Sequence, residues 1–195
     1  MQLVFATHNP NKLKEIQSMM PTSIVLLSLK DIGCEEDVPE TQDTIEGNAI
    51  QKATYIKNTY GYDCFADDTG LEVFALDGEP GVYSARYAGP QRDSDENMSK
   101  LLHNLKVHND RSAQFKTVIA LHLDGTTHTF EGLCKGSITR EKSGNDGFGY
   151  DPIFKAEGYD LTFAEIPLDE KNRIGHRGKA FRKLIDFFKQ TSFPK

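Results

Sequence analysis

Apolar and polar residues follow one another along this chain with the periods of both strands and helices. Apolar runs over residues 2–6 and 24–29 predict two strands, the second of them buried. Between these runs, Asn9 and Pro10 suit a helix cap and the first helical position. Residues 44–60 repeat apolar side chains at close to 3.6 positions and predict a longer amphipathic helix. The first helix would present one apolar face, made of Leu13, Ile16, Met19 and Met20.

The second half of the chain predicts a hairpin inserted between further strands and helices. Apolar runs over residues 113–123 and 126–139 flank an Asp124-Gly125 turn, the usual signal of two paired strands. This alternation of strands and helices predicts a mixed α/β fold. The other expected elements are strands over residues 63–66 and 71–76, a helix capped by Ser94, and a closing helix whose apolar face carries Phe181, Leu184, Ile185 and Phe188.

Composition indicates an ordinary globular protein of one domain, or of one domain with two lobes. Of 195 residues, 37% are hydrophobic and 27% are charged, so a sizeable core can form. The net charge of -6 argues against binding along a nucleic-acid backbone, but not against a nucleotide with its own Mg²⁺. No run is long enough to span a bilayer, no leader is expected, and Cys34, Cys64 and Cys134 follow no zinc or disulfide spacing. We therefore expect a cytoplasmic protein that binds neither membranes nor nucleic-acid polymers.

Residues 66–70, Ala-Asp-Asp-Thr-Gly, are the segment most informative about chemistry. Asp67 and Asp68 are expected at the end of a strand, where successive side chains point to opposite faces, so only one of them can enter a given site. A carboxylate in that position can hold a divalent metal or activate a water. Glu40, in an irregular acidic segment, is a candidate to converge on the same place. The alternatives are a plain turn after a strand and a solvated acidic loop.

A second candidate site lies at the junction of the first strand and the first helix. Free backbone N–H groups and the helix dipole favour an anion there, and Lys12 can add a positive charge next to a bound phosphate. The alternative is an ordinary helix cap with an exposed lysine. The segment consists of Thr7, His8, Asn9, Pro10, Asn11 and Lys12.

Two further segments combine glycines, aromatic rings and cations. In residues 147–151 the glycines allow a close backbone approach, while Phe148 and Tyr150 offer ring faces to a base. In residues 171–179 five groups can be cationic; Arg177 can grip a phosphate, and His176 can donate to a phosphate or a base edge. The alternatives are a flexible loop with buried aromatics and a basic helix start. The second is disfavoured, because cations are unfavourable at a helix N-terminus that has no anion to answer them.

Taken in this order, the segments resemble the inosine/xanthosine triphosphate pyrophosphatase family, whose members remove non-standard purine nucleotides. The resemblance extends over nearly the whole chain, and the ordered set of motifs is specific. The matching pieces are Ala6-Thr7-His8-Asn9 with Lys12, Glu40-Thr41, Asn48-Ala49, Lys52-Ala53, and residues 66–71, 80–87, 147–152 and 176–180.

The resemblance implies an elongated central mixed sheet with flanking helices, in which two lobes of one domain, residues 1–195, enclose a nucleotide cleft. It also implies an Mg²⁺-dependent enzyme, usually a homodimer. Its substrates would be ITP, dITP and XTP, cut between the α and β phosphates to give the monophosphate and pyrophosphate. Such an enzyme prevents incorporation of these nucleotides into DNA and RNA.

The same resemblance implies a role for each matched position. Asp68 matches the general base and a metal ligand, and Glu40 matches the other metal ligand. The positions that match substrate contacts are Thr7, His8, Asn9, Pro10, Asn11, Lys12, Thr69, Phe148, Gly149, Tyr150, Asp151, Lys171, His176 and Arg177.

Two positions depart from the family pattern, and three alternative functions remain. Gly175 stands where the family commonly has serine, and Gly47 where it commonly has glutamate; neither change removes the implied base, metal ligands or main cations. The alternatives are a related pyrophosphatase acting on modified pyrimidine or 7-methylguanine nucleotides, a nucleotide-binding module without turnover, and a structural or interaction protein. The paired carboxylates argue against the second, and the third leaves the Gly-Phe-Gly-Tyr loop and the His-Arg cluster unexplained.

Overall fold

The computed structural model, which describes residues 1–17 and 20–190, alternates strands and helices. The expectation of a mixed α/β fold is thereby confirmed. The strands are β1 (Gln2–Phe5), β2 (Val25–Leu27), β3 (Cys64–Val73), β4 (Pro80–Gly81), β5 (Ser112–Leu123), β6 (Thr126–Ile138) and β7 (Phe154–Ala156). The helices are α1 (Pro10–Gln17), α2 (Ile45–Tyr60), α3 (Ser94–Asn104), α4 (Leu168–Ile174) and α5 (His176–Gln190).

The strands of the described residues form one mixed sheet. Its order is β2-β1-β3-β5-β6-β7, with β4 paired to β3. Strand β1 runs parallel to both β2 and β3, whereas β7 is antiparallel to β6. Strands β5 and β6 are joined by Asp124 and Gly125, which both have positive φ (48° and 79°), as the tight turns that match the twist of a hairpin require. The predicted hairpin is confirmed.

The chain divides into two compact units, which are described separately below. Unit 1 comprises residues 1–68, 117–132 and the chain from 179 onward, and unit 2 comprises residues 69–116 and 133–178. The single-domain boundary and the nucleotide cleft implied by the resemblance stay predictions. No helix among the described residues is both long and apolar enough to cross a membrane.

The core of unit 1 is centred on three phenylalanine rings. Phe5 of β1 stacks on Phe65 of β3 with ring centroids 4.6 Å apart, and Phe181 of α5 meets Phe65 edge-on at 5.7 Å. All three rings are fully buried. Because Phe65 lies two residues before Asp67, this cluster fixes the strand that carries the paired aspartates.

The core of unit 2 also contains a cluster of aromatic rings. Phe115 of β5 contacts Phe154 of β7 at 4.6 Å, and Phe154 contacts Phe163 at 4.9 Å, both edge-on. The ring of Tyr150 is buried in the same cluster of apolar residues, and its hydroxyl donates to the carbonyl of Ser84 at 2.9 Å. The burial of Tyr150 and its hydrogen bond to Ser84 therefore anchor the end of the glycine-rich segment in the core of unit 2.

Helices α1 and α2 begin as their sequences predict. The side chain of Asn9 accepts from the N–H of Lys12 at 3.4 Å, at the start of α1. The hydroxyl of Thr44 accepts from the N–H of Gly47 at 2.9 Å, and Gly61 ends α2 with a left-handed φ of 79°. On the predicted apolar face of α1, Ile16 is buried and Leu13 and Met20 pack against the core, while Met19 lies outside the described residues.

The sequence was misleading in four places. Strand β2 is not buried: Val25 is 54% exposed, because β2 forms an edge of the sheet. The two strands expected around Asp67 and Asp68 are one continuous strand, so the aspartates do not stand at a strand's end. The cap of α3 is Asp93 rather than Ser94, with its carboxylate 2.8 Å from the N–H of Glu96. Helix α4 was not expected at all.

Replacing Phe65 by alanine is expected to lower the free energy of unfolding by about 3–5 kcal/mol, because the cavity lies where three rings meet. Urea denaturation followed by circular dichroism measures this. The matched control is Phe74→Ala, directly after β3, where the ring is 49% exposed and the expected change is about 0.5 kcal/mol. Equal losses in the two variants would contradict the assignment of Phe65 to the core.

Candidate functional site

The paired aspartates of unit 1 take different lysine partners. Asp67 and Asp68 are consecutive in β3, so their side chains leave the strand on opposite faces. One oxygen of Asp67 lies 2.9 Å from Nζ of Lys12, which belongs to α1. One oxygen of Asp68 lies 3.3 Å from Nζ of Lys52, which belongs to α2. Without these lysines, β3 would bury unpaired carboxylates, which is energetically unfavourable.

Lys52 also brings Glu40 to Asp68. Its Nζ lies 2.5 Å from Oε1 of Glu40, so one ammonium group binds two carboxylates that are 28 positions apart in the chain. Lys52 is buried, on the face of α2 that also carries Ala49, Ala53 and Ile56. Glu40, expected from the sequence as a candidate to converge on the aspartates, therefore shares a binding partner with Asp68.

The carboxylates of this site outnumber its lysines. Glu40, Asp67 and Asp68 supply three negative charges, against the two positive charges of Lys12 and Lys52. Burial lowers the pKa of Lys52, but the attraction of Asp68, Glu40 and Asp67 outweighs it, so the pKa of Lys52 is raised.

Asp68 also has a raised pKa. Burial is the main cause; Lys52 and Lys12 lower the pKa, while Glu40 and Asp67 add to the increase. The raised pKa of Lys52 reflects the attraction of the surrounding carboxylates, which agrees with the excess of negative charge in the site. Such a site favours one further cation.

The donor set fits Mg²⁺. This ion takes oxygen ligands and is usually bound through one or two protein carboxylates together with the phosphates of a nucleotide. Glu40 and Asp68 already surround one cationic atom, the Nζ of Lys52. Among residues 1–17 and 20–190, no three His, Cys, Asp or Glu side chains gather into a metal cage made of protein alone. The pair of carboxylates is therefore suited to a metal that a nucleotide brings with it.

The strand-to-helix junction of unit 1 is held by a local hydrogen bond and by contacts to distant parts of the chain. The hydroxyl of Thr7 accepts from the N–H of Asn9 at 3.1 Å. His8 is exposed, and its Nε2 donates to the carbonyl of Glu36 at 2.9 Å. Lys12, expected as a charge for a phosphate, bonds Asp67 instead, and a phosphate contact stays a prediction. The side chains of Pro10 and Asn11 lie outside what the structure describes.

In unit 2 the glycine-rich segment is fixed by a buried ion pair. Nζ of Lys171, on α4, lies 2.7 Å from Oδ2 of Asp151, and both side chains are buried. The same oxygen accepts the backbone N–H of Phe148 at 2.8 Å. Burial raises the pKa of Asp151 by more than Lys171, the Phe148 N–H and Arg177 lower it. A Cβ at Gly147, where φ is 80°, would lie 2.1 Å from that oxygen, so this tight turn requires glycine.

Two cations approach the ring of Phe148. Nζ of Lys171 lies 5.0 Å, and Cζ of Arg177 5.3 Å, from its centroid, both within the range of a cation–π contact. The ring is half-buried, which leaves part of it open to a planar ligand. Tyr150, the other ring expected to stack a base, is buried.

His176 and Arg177 occupy the first turn of α5, so these two cations do stand at a helix start, which the sequence disfavoured, while Lys171 lies on α4. The ring of His176 stacks on Phe115 at 4.5 Å, with 21° between the planes. Both residues are buried, so the cluster is built into unit 2 rather than spread over its surface. Thr69 is half-buried in β3, and Gly149 has a φ of 66°. A substrate role for each of these residues stays a prediction.

Lys52 and Asn48 are the residues of this site that sequence reasoning missed as functional groups. A signal was present, because both polar residues fall one turn apart on the otherwise apolar face of α2. A lysine on such a face needs an anion, and Glu40 and the paired aspartates were already candidates to converge on one place. The three cysteines, whose spacing suggested no disulfide, are free and buried, and burial raises the pKa of Cys64 to about 12.

The two glycines that depart from the family pattern are both crowded. A Cβ at Gly47 would lie 2.9 Å from Cβ of Gln42 and from Oγ1 of Thr44. A Cβ at Gly175 would lie 2.5 Å from the carbonyl oxygen of Lys171, which accepts the N–H of Gly175 at 2.8 Å. A side chain at position 175 would therefore require the backbone between α4 and α5 to shift.

Replacing Lys52 by methionine is expected to lower the free energy of unfolding by about 3–5 kcal/mol, because it leaves the largely buried carboxylate of Asp68 and the partly exposed carboxylate of Glu40 without their shared cation. Urea denaturation in the presence of a chelator measures this with no metal to compensate. The matched control is Lys57→Met on the same helix. Its partner is Asp63, both side chains are partly exposed, and the expected cost is about 0–1 kcal/mol. Similar losses in both variants would contradict the buried pairing.

Comparison with known proteins finds relatives along nearly the whole chain. The model of the Ham1 family matches residues 3–187. A relative named dITP/XTP pyrophosphatase from Flavobacterium johnsoniae is 64% identical, over 98% of this chain and 100% of that protein. One with the same name from Bacillus subtilis is 44% identical, over 94% of this chain and 94% of that protein.

Solved structures agree with these sequence matches. The Ham1 protein of Coxiella burnetii superposes with a TM-score of 0.92 at 36% identity, covering 98% of this chain and all of that one. The Staphylococcus aureus Ham1 protein gives a TM-score of 0.90 at 39% identity, covering 97% and 98%. The resemblance inferred from the ordered motifs is confirmed. Matched in sequence and in fold along nearly its whole length, this chain belongs to the Ham1 family.

Proposed function

We propose that this protein hydrolyses the non-standard purine nucleoside triphosphates ITP, dITP and XTP. Water is added across the bond between the α and β phosphates, so that the products are the nucleoside monophosphate and pyrophosphate. The names borne by full-length relatives at 44–64% identity support this assignment. In the cell this reaction would clear such nucleotides before a polymerase incorporates them into DNA or RNA.

The observation that carries the proposal is the meeting of Glu40 and Asp68 on Nζ of Lys52. Hydrolysis of a phosphoanhydride needs a base to take the proton of the attacking water, and positive charge to balance the charge of the phosphates. Asp68 is the proposed base: it is fixed on a strand, and its raised pKa makes it a stronger base than an ordinary aspartate. Lys52 and Lys12 oppose the increase in its pKa and so favour its ionised form.

The proposal includes Mg²⁺, held by Glu40 and Asp68. When bound, the ion would neutralise charge on the phosphates of the substrate. The excess of carboxylates over lysines around Lys52 supports a further cation at this place.

The proposed substrate contacts are given for each unit separately. In unit 1, the residues proposed for the triphosphate are those at the start of α1, where backbone N–H groups and Lys12 favour an anion. In unit 2, Phe148 is proposed to stack the base, and Lys171, His176 and Arg177 to supply donors. Gly149, Tyr150, Asp151 and Thr69 complete the proposed contacts through backbone or buried polar groups.

Selection of the base would follow from those donors. A donor faces the 6-oxo group of hypoxanthine or xanthine favourably, whereas the 6-amino group of adenine would leave it unpaired. Two further parts of the proposal are a homodimer and a cytoplasmic location. The motif resemblance supports the first, and three buried free cysteines suit the second.

The proposed function is tested by kcat/KM values for ITP, dITP, XTP, GTP and ATP, with released pyrophosphate as the readout. We expect the first three to exceed ATP by about 10²-fold or more, because a site that hydrogen-bonds a required group rejects an analogue that lacks it. GTP is also expected to be a poor substrate. Equal values for ITP and ATP would overturn the assignment, and preference for modified dUTP would favour a pyrimidine-directed relative.

Asp68→Asn is expected to reduce kcat for ITP by about 10²–10⁴-fold, because it removes the proposed base while retaining the size of the side chain. The matched control is Asp63→Asn, a carboxylate paired with Lys57 just before the same strand, which should leave kcat within about twofold. Urea denaturation establishes that both variants are folded. Turnover in folded Asp68→Asn at the rate of the unchanged protein would refute the role of Asp68.

A further inference from the structure

Asn48 connects the two carboxylate-bearing segments of unit 1 through a single buried amide. Its side chain is buried, with only 1% of the residue exposed. The amide oxygen accepts the backbone N–H of Gln42 at 2.9 Å, two residues after Glu40. The amide nitrogen donates to Oδ2 of Asp68 at 3.3 Å. One side chain thus bonds both the Glu40 segment and the proposed base.

Lys52, one helical turn later, reaches the same two segments. Its Nζ lies 3.3 Å from Oδ1 of Asp68 and 2.5 Å from Glu40. Residues at i and i+4 lie on the same face of a helix, so α2 presents an amide and an ammonium side by side. Each oxygen of Asp68 therefore has its own donor from α2, which defines the plane of the carboxylate as well as its position.

Only an amide meets these requirements at position 48. It must accept from Gln42 and donate to Asp68 at once, and it must add no charge, because three carboxylates already face two lysines. Aspartate would retain the acceptor but lose the donor and add a fourth negative charge. Serine is neutral but too short to make both bonds.

We propose that Asn48 is a positioning residue, which orients the carboxylate of Asp68 and sets its distance from Glu40. The inference rests on the proposed function and adds a residue to it. Asn48 acts through Asp68 rather than on the substrate, so its loss should reduce kcat and leave KM for the nucleotide nearly unchanged. Residues that orient functional carboxylates and metal ligands in this way typically affect activity by about 10–100-fold.

Gln51 provides a matched control on the same helix. Its amide oxygen accepts the N–H of Thr41 at 2.9 Å, and its amide nitrogen donates to the Thr41 hydroxyl at 2.8 Å. It therefore holds the same segment as Asn48, but it does so through Thr41, whereas Asn48 also bonds Asp68. Gln51→Glu changes an amide to a carboxylate, as Asn48→Asp does, three positions away.

The experiment compares kcat and KM for ITP in the unchanged protein, Asn48→Asp, Asn48→Ser and Gln51→Glu. We expect kcat to fall by about 10–100-fold in both Asn48 variants, with KM within about threefold, and both constants of Gln51→Glu to stay within about twofold. Urea denaturation identifies variants that are folded. If Asn48→Asp does not fold, Asn48→Ser decides the question, because it removes the donor without adding charge.

The outcomes separate this inference from the function on which it rests. Absence of ITP hydrolysis by the unchanged protein overturns the proposed function and the inference together. Normal ITP hydrolysis with an unchanged kcat in a folded Asn48 variant overturns the inference alone. If only KM changes in the Asn48 variants, the inference is also overturned, because Asn48 would then act in binding. If kcat falls equally in Gln51→Glu, it is overturned as well, because the loss would then come from the stability of the 40–42 segment.

Discussion

The buried ammonium group of Lys52 is the interaction on which the rest of unit 1 depends. It joins three parts of the chain that are distant in sequence: the segment around Glu40, helix α2 and strand β3. A group of carboxylates this poorly exposed would be very unfavourable without an internal cation. The hydroxyl of Thr44 and the left-handed Gly61 define where α2 begins and ends, and thereby the face on which Lys52 lies. The caps of α2 consequently determine where the positive charge of Lys52 lies relative to Glu40 and Asp68.

Unit 2 uses a related device with the opposite balance of charge. The buried pair of Lys171 and Asp151 holds the glycine-rich segment, and Arg177 adds a second cation beside Phe148. Cations therefore outnumber carboxylates around this ring, whereas carboxylates outnumber lysines around Lys52. The first environment suits electron-rich groups and the second suits a metal ion. A protein with a net charge of -6 thus contains both kinds of site.

Motif order and apolar periodicity were sufficient to predict the family, the α/β class, the hairpin and the boundaries of α2. They failed where a polar contact far along the chain decided the local structure. The Asp67-Asp68 segment reads as a turn in isolation, but Lys12 and Lys52 neutralise it, so β3 continues through it. Helix α4 is only seven residues long, and its beginning at Pro167 has no side-chain cap. The pairing of Lys52 with Glu40 depends on tertiary structure, and no local pattern of spacing encodes it.

The continuity of β3 limits the conformational freedom of the proposed base, Asp68, before any substrate binds. A carboxylate on a loop must lose conformational freedom each time a substrate orders that loop. Asp68 instead stands within a ten-residue strand, preceded by a fully buried ring cluster. Its conformational freedom is lost once, during folding, and not again in every catalytic cycle. Changes in the length of surface loops can then accumulate during evolution without altering the geometry of the carboxylate, because no loop carries it.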